Sequence, residues 1–401
     1  NARVEEVLAE GENWIPTIDY DDILHNRVDE KTRERVKVAG VLKVRNTIEK
    51  ATAEDYNQRM MDAMKHYFQV DPTDHASYAS IYNDTNPKTF TLGGVQEMYY
   101  AHPQTEARQH PNMNVVRLWL NRLWTHLDKE TNEVMCIPEV ETTYIDRWRH
   151  RLPHFQTQTG MKEHMDNGGM SRWADPAWQH VYAGILGGKL SDFDPWDVGR
   201  RAHISSSVFR TFQGWLALTP QGPTDGSLEV VPLLAEAIAY VMLRPLRSDV
   251  PAHQLCGVND LHGGDTLEIT SRWHAPLLRA KMAVGMVEPG DTVWWHPDVI
   301  HGVEEKHLGK HLSNVLYIPS APMCPLNARS LRRQREAWEQ GNAPPGFPNL
   351  RIEKKNPQFR SEVSDLTDLG RKQMGFDPFP ASILEDGDGL LEKKAAMLAE
   401  R

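Results

Sequence analysis

The 401 residues contain no run of 18 or more apolar residues, so no membrane-spanning helix is expected. Basic residues are outnumbered by acidic ones, 45 to 55, and they form no stripe along the chain. A formal charge of −10 spread in this way is a poor match for phosphate backbones, which excludes nucleic acid as the expected partner. Cysteine is scarce. Cys136, Cys256 and Cys324 are odd in number and widely spaced, which argues against a disulfide framework and against a CxxC metal site. The expected setting is a reducing compartment, cytoplasmic by default. The chain begins at Asn1 with neither Met nor a signal-like apolar stretch, which reads as a trimmed terminus. Internal repeats and low-complexity tracts are also lacking.

What is present is an ordinary globular composition, 40% apolar and 25% charged. The length fits two or three structural units, or one barrel with helical extensions. Residues 36–45 (VKVAGVLKVR) alternate well enough to predict a strand. Thr52 and Asp55 have capping-box spacing, and Tyr56, Met60, Met64 and Tyr67 follow at helical intervals. Residues 113–127 read as a second, buried helix whose Met and Trp stripe belongs to a core.

From about residue 140 the texture changes. Short β-rich runs at 142–151, 207–218, 227–231, 282–288, 291–295 and 313–319 are separated by turn formers such as Gly222-Pro223 and Pro289-Gly290. Such punctuation predicts a sandwich, jelly roll or small barrel. Segment 232–244 is ambiguous between helix and strand. Residues 326–341 read as a charged helix carrying Arg332, Arg333 and Arg335, expected to be an exposed basic face. A short amphipathic helix is expected near 388–400. The organisation is therefore a mixed α/β extension over 1–138 packed on a barrel, a β core over 139–322 with an insertion around 232–280, and a helical, loop-rich extension over 323–401. The tail is expected to pack on the barrel or on a second subunit, as in a homodimer.

The chemistry is concentrated in two segments. Residues 160–170 read GMKEHMDNGGM, and His164 and Asp166 stand two apart. On a strand, residues i and i+2 share a face, so an imidazole and a carboxylate converge without special folding. Residues 289–303 read PGDTVWWHPDVIHGV, a turn, a strand and two histidines, His296 and His301. A facial set of two histidines and one carboxylate needs one of them and leaves open positions on iron for a bidentate co-substrate and oxygen. Three or four tight nitrogen or sulfur ligands would suit zinc instead. His301 is preferred because the small Gly302 after it is easily accommodated near a metal. His296, beside Pro297, fits a supporting or structural role. Against this stands the bland alternative: with 18 histidines in the chain, most are surface or satisfied core groups.

The blocks HMDNGGMSRW at 164–173, FRTFQGWLAL at 209–218, GSLEVVP at 226–232 and PGDTVWWHPDVIHG together resemble the iron(II)/2-oxoglutarate oxygenase superfamily. YYAHPQTEARQHPNM at 99–113, DRWRHR at 146–151, FDPWD at 193–197 and NVLYIPSAP at 314–322 extend the likeness to its YbiU-like branch, from about residue 14 to 350. The resemblance implies a double-stranded β-helix of the jelly-roll or cupin kind, flanked by N- and C-terminal helices. It implies a metal held by His164, Asp166 and His301, with Fe(II), 2-oxoglutarate and O2 as cofactor and co-substrates. The expected activity is that of a 2-oxoglutarate-dependent dioxygenase acting on a small molecule by hydroxylation, desaturation or ring closure. A fungal group similar to this branch includes an oxygenase closing an aziridine ring on an amino acid, a hint toward amino acids or natural-product intermediates.

One departure matters. Many members of the superfamily carry an Arg or Lys on the strand after the distal histidine to hold 2-oxoglutarate, but here that strand is SNVLYIPS, without a cation. A guanidinium is the natural substitute because its planar fork matches two carboxylate oxygens. Arg147, Arg149 and Arg151 alternate on one strand face, either inward or solvated. Arg210 and Gln213 fall on opposite faces of the FRTFQGW segment, so that one or the other would face inward. The clamp stays open among Arg147, Arg149, Arg210 and Gln213. Ser313, Val315 and Tyr317 share a face and could shape the pocket; Trp215 and Trp295 fit packing as well as a substrate wall. Two other readings compete: a cupin-type hydrolase or isomerase with zinc or manganese and His296 as a fourth ligand, and a non-catalytic small-molecule-binding barrel.

Overall fold

The computed structural model describes residues 1–401 apart from 84–93, 156–159, 167, 200, 205–207, 252–265, 386–388 and 400–401. Among the described residues the strands are, in chain order, β1 (Thr17–Asp19), β2 (Val41–Arg45), β3 (Val95–Gln96), β4 (Ile137–Glu141), β5 (Trp148–Arg151), β6 (Met161–Met165) and β7 (Gln213–Ala217). They continue with β8 (Leu228–Val231), β9 (Leu267–Glu268), β10 (Met282–Ala283), β11 (Thr292–Trp295), β12 (Ile300–Val303), β13 (Ser313–Tyr317) and β14 (Pro322–Met323). The larger sheet has the order β1-β2-β11-β7-β13-β5-β3, and the smaller β10-β8-β12-β6-β9; β14 and β4 form a separate pair. Every pairing is antiparallel except β1 with β2. The core is thus a β-rich body surrounded by helices. Both sheets contribute to one hydrophobic cluster that includes Trp148, Trp215, Leu216, Val230, Val293 and Ile300.

Residues 1–138 are not merely laid on this body, because β1, β2 and β3 extend the larger sheet. The strand expected over 36–45 is two elements. Glu30–Ala39 is a helix, started by Asp29 accepting from the Thr32 amide at 2.7 Å and stopped by Gly40 in the left-handed region. Only Val41–Arg45 is strand. VKVA satisfies either period over four residues, and the glycine decides where the helix ends. Helix Lys50–Phe68 buries Tyr56, Met60, Met64 and Tyr67, the stripe its spacing announced. The helix expected over 113–127 is Pro111–Asn121.

The β-rich runs are shorter than expected. Within 142–151 only Trp148–Arg151 is strand, and within 207–218 only Gln213–Ala217, with residue 207 outside the described residues. The run 282–288 reduces to Met282–Ala283. The ambiguous 232–244 segment is a helix over Leu234–Leu243, burying Leu234, Ala237, Ile238, Val241 and Met242. Much of the remainder of the 232–280 stretch lies outside the described residues. The helix expected over 326–341 is Pro325–Glu339 and the terminal one Leu391–Ala399. Cys136 and Cys324 are free and buried, and Cys256 is not among the described residues. No helix among the described residues is long and apolar enough to cross a membrane.

Two close approaches explain why particular small residues sit in the sheets. Gly214 lies on β7 opposite Trp294 of β11, and a Cβ there would come within 2.3 Å of the indole ring. Gly290, at φ +97, launches β11 from a turn where a Cβ would fall 2.1 Å from the Ile48 carbonyl oxygen. Alternation then sends Gln213, Trp215 and Trp295 to the face that lines the cavity described next.

Candidate metal centre

His164 lies on β6, Asp166 one residue beyond its end, and His301 on β12. In the register of the smaller sheet His301 faces His164 directly, so their rings lie side by side with centroids 4.3 Å apart. One ligand atom from each of His164, Asp166 and His301 falls within 4.8 Å of the others. His164 Nε2 is 3.4 Å from one Asp166 carboxylate oxygen and His301 Nε2 is 3.6 Å from the other. Each histidine is oriented by its own strand. His164 Nδ1 sits 2.7 Å from the Lys162 carbonyl, and His301 Nδ1 sits 2.9 Å from that of Val299. A carbonyl only accepts, so Nδ1 donates in both rings and Nε2 is the atom each ring turns toward Asp166 and a metal.

Gly302 makes this pairing possible. A Cβ there would come within 2.9 Å of the Met161 carbonyl oxygen on β6, so a larger residue would push the strands apart.

The electrostatics suit a cation. Burial alone would raise the Asp166 carboxyl, but the His164 hydrogen bond, the neighbouring His301 ring and the charges of His164 and Arg210 outweigh it. The group is held far below the usual carboxylate range. Gln213 donates to the same carboxylate at 2.7 Å. Burial, with the charge of His164 second, pushes His301 down to about 4, so its imidazole is neutral. His164 is lowered by burial but raised more by Asp166 and the Lys162 carbonyl, and ends above its ordinary value. A metal bound here would displace that proton.

These groups line a cavity of about 500 Å³ whose wall takes residues from both sheets. All four clamp candidates line it, so the expected choice between Arg210 and Gln213 does not arise. Arg210 precedes β7 and does not alternate with it. The arginine face of β5 looks inward, not to solvent: Arg149 and Arg151 are buried. Arg151 donates to the backbone carbonyls of Gly226, Glu304 and Glu305 and is absent from the cavity wall. Arg147 meets Asp146 and Glu97, each at 3.3 Å, and stacks on Phe347. Arg149 is 1% exposed, yet no carboxylate of the described residues lies within ion-pair distance of it. Its Nη2 donates to Gln221 at 2.7 Å and to Ser313 at 3.1 Å, and its buried Nε has no partner.

His296, the rival ligand, is committed elsewhere. Its Nδ1 accepts from the Asp298 amide at 3.0 Å, its Nε2 donates to the Pro195 carbonyl at 3.0 Å, and its ring stacks on Trp124 at 4.6 Å. Arg332, Arg333 and Arg335 do not line this cavity. Arg335 donates to the Gly375 carbonyl and stacks on Phe376.

Sequence reasoning passed over the groups that hold Asp166 in place. Arg172 donates to the Asp166 backbone carbonyl at 2.6 Å and to Asp298 at 2.9 Å. Arg201 pairs with the other Asp298 oxygen at 2.6 Å. Asp298 is 1% exposed and its carboxyl is held well below the usual range: burial opposes this, and the two arginines overcome it. The only signal in the chain was an acidic residue between the two histidines of HPDVIH. Tyr144 and Asp146, which also line the cavity, gave none.

The chain matches the Gig2-like family over residues 1–376. It is 34% identical over 390 residues to the uncharacterized protein YbiU of Escherichia coli (strain K12), spanning 94% of this chain and 89% of that one. The structure of the hypothetical protein JW0805 from Escherichia coli superposes with a TM-score of 0.81 at 34% identity, covering 93% of this chain and 89% of that chain. A Salmonella typhimurium LT2 protein carrying the provisional name of an oxidoreductase gives 0.82 at 32% identity, over 93% and 90%. GIG2 from Candida albicans shares the fold, with a TM-score of 0.78 at 23% identity over 100% and 86%. With a family match across most of its length and a relative at one-third identity, the chain belongs to the Gig2-like family.

Proposed function

We propose that the protein is a non-heme iron(II), 2-oxoglutarate-dependent oxygenase acting on a small molecule. One observation carries the reading: two histidines and one carboxylate converge in the wall of a cavity that also holds a buried arginine without a carboxylate partner. The donor set fits iron(II), because two imidazoles and one carboxylate leave positions open for a bidentate co-substrate and oxygen. His296, bonded through both ring nitrogens, is not available as a fourth ligand. The provisional oxidoreductase name of the Salmonella relative agrees with this direction. The strand order supports a double-stranded β-helix. Successive core strands β5, β6, β7, β8, β10, β11, β12 and β13 fall as β5-β13-β7-β11 in one sheet and β6-β12-β8-β10 in the other.

The residues divide the work. His164, Asp166 and His301 would hold the iron, which with 2-oxoglutarate and oxygen supplies the oxidising power to attack an unactivated C–H bond. The strand after the distal histidine lacks a cation, and Arg149, on the neighbouring strand β5, takes its place. Its Gln221 and Ser313 bonds fix the guanidinium, leaving its free edge for the distal carboxylate of 2-oxoglutarate. Gln213 keeps the Asp166 carboxylate in one orientation. The outcome at the substrate carbon, hydroxylation, desaturation or ring closure, follows from how the walls place it.

The test is anaerobic titration of the iron(II)-loaded protein with 2-oxoglutarate, followed by succinate release on admitting oxygen. Wild type is expected to develop a visible charge-transfer absorption and to form succinate. His164→Ala should do neither. Equal succinate from wild type and His164→Ala would refute the assignment.

A further inference from the structure

We infer that the substrate is a small carboxylic acid with an apolar or aromatic body, and that Arg210 binds its carboxylate; this rests on the oxygenase reading above. Three arginines line the cavity, and they are occupied differently. Arg147 is neutralised by Asp146 and Glu97. Arg149 is fixed by two neutral partners in the position of a co-substrate clamp. Arg210 has neither a hydrogen bond nor an ion pair with any described residue. Its guanidinium lies over the Tyr144 ring, 5.5 Å from the ring centre.

Arg210 is not a distant surface charge. It lines the same cavity as the two histidines, and its charge is felt at both Asp166 and His301. Asp166 would be taken by the metal. Asp146, the other carboxylate in the wall, already accepts from the Arg147 amide at 2.7 Å and from its guanidinium. A carboxylate ligand would give this cation the partner that the described residues do not supply. The guanidinium lies over the Tyr144 ring, and its planar fork carries parallel N–H donors that match an anion. A carboxylate meets that fork with two oxygens. Trp215, Trp295, Leu228, Val303 and Met161 give part of the wall an apolar surface that suits an apolar body, beside the polar Tyr317 and Thr266. A cavity of about 500 Å³ is in the usual range for a small-molecule site, about 300–1,000 Å³.

The proposal is tested with probes whose only variable is the charge. Hexanoate and phenylacetate are titrated by anaerobic calorimetry into the iron(II) protein saturated with 2-oxoglutarate, beside hexanamide and phenylacetamide. The same titrations are run on Arg210→Gln and Arg210→Lys, whose folding is checked by circular dichroism and whose 2-oxoglutarate affinity is measured first. At least one acid is expected to bind wild type at least tenfold more tightly than its amide. Arg210→Gln should lose that preference while keeping 2-oxoglutarate affinity within about twofold, and Arg210→Lys should recover part of it. Equal binding of acid and amide, no binding of either acid, or unchanged acid binding in Arg210→Gln would overturn the proposal. Loss of 2-oxoglutarate binding in Arg210→Gln would also overturn it, by making Arg210 the co-substrate clamp. If wild type fails to bind 2-oxoglutarate but, titrated without it, still selects the acids through Arg210, the oxygenase reading fails and the carboxylate site stands.

Discussion

Asp298→Asn removes one charge and almost no volume from a buried cluster of one carboxylate and two guanidiniums. Asp298 is 1% exposed and receives Arg172 at 2.9 Å and Arg201 at 2.6 Å, both of them buried. An asparagine keeps one acceptor oxygen but removes the carboxylate charge that Arg172 and Arg201 share. Breaking a buried pair by removing one partner costs about 3–5 kcal/mol, because the remaining charge stays desolvated. The loss is expected to reach the metal centre as well. Arg172 also holds the Asp166 backbone carbonyl at 2.6 Å, and a guanidinium freed from Asp298 no longer fixes that carbonyl. Groups that orient metal ligands typically contribute about 10–100-fold to metal affinity. Urea unfolding at pH 7.5 measures the first effect, and competition with a chromophoric chelator for iron(II) measures the second. A stability loss under about 1 kcal/mol, or an unchanged iron affinity, would refute this reasoning. A change to well-packed apolar residues at 172, 201 and 298 together should be far less destabilising than Asp298→Asn, while still weakening iron.

Acid should destabilise the fold before most carboxylates titrate. Burial holds His296 at about 3 in the folded state, against about 6.5 in an unfolded chain. The unfolded state therefore binds the extra proton, and this stability is complete above pH 6.5 and lost as pH falls through the window down to about 3. Each such histidine contributes a slope of up to about 1.4 kcal/mol per pH unit. His150 and His274, both pushed down to about 4 chiefly by burial, act in the same direction. Urea midpoints at a series of pH values check this, and a flat profile between pH 6.5 and 4.5 would contradict it. Gly302→Ala should leave the chain folded but lower iron affinity at least tenfold, since the new Cβ would meet the Met161 carbonyl at 2.9 Å and prise His301 from His164; unchanged affinity by chelator competition would contradict the strand-pairing argument. Arg149→Gln should raise the 2-oxoglutarate dissociation constant by about 10–100-fold, the range for a charge-assisted pair worth about 1.5–3 kcal/mol, with iron affinity unchanged. Equal 2-oxoglutarate binding would move the clamp elsewhere.

What the chain revealed in advance is what local periodicity controls. His164 and Asp166 share a face because strand side chains repeat every two residues; Gly302, read from the sequence as room beside a metal, is instead required by the Met161 carbonyl on the paired strand. The helix Lys50–Phe68 follows from a stripe long enough to distinguish 3.6 from 2. Short segments were less legible. VKVA fits either period, and only Gly40, in a left-handed cap, separates helix from strand. The partners of Asp298 lie 97 and 126 residues away and leave no local pattern. The contrast among Arg147, Arg149 and Arg210 depends on which carboxylates the fold brings near each. Composition and spacing carry no information about that.

The central claim is tested most directly by an anaerobic crystal structure of the protein with iron(II) and 2-oxoglutarate, with the metal located by anomalous scattering at the iron edge. The expected result is one iron bound by His164 Nε2, Asp166 and His301 Nε2, with the far carboxylate of 2-oxoglutarate on the Arg149 guanidinium. Iron bound through His296, iron at another place, or 2-oxoglutarate outside this cavity would contradict it.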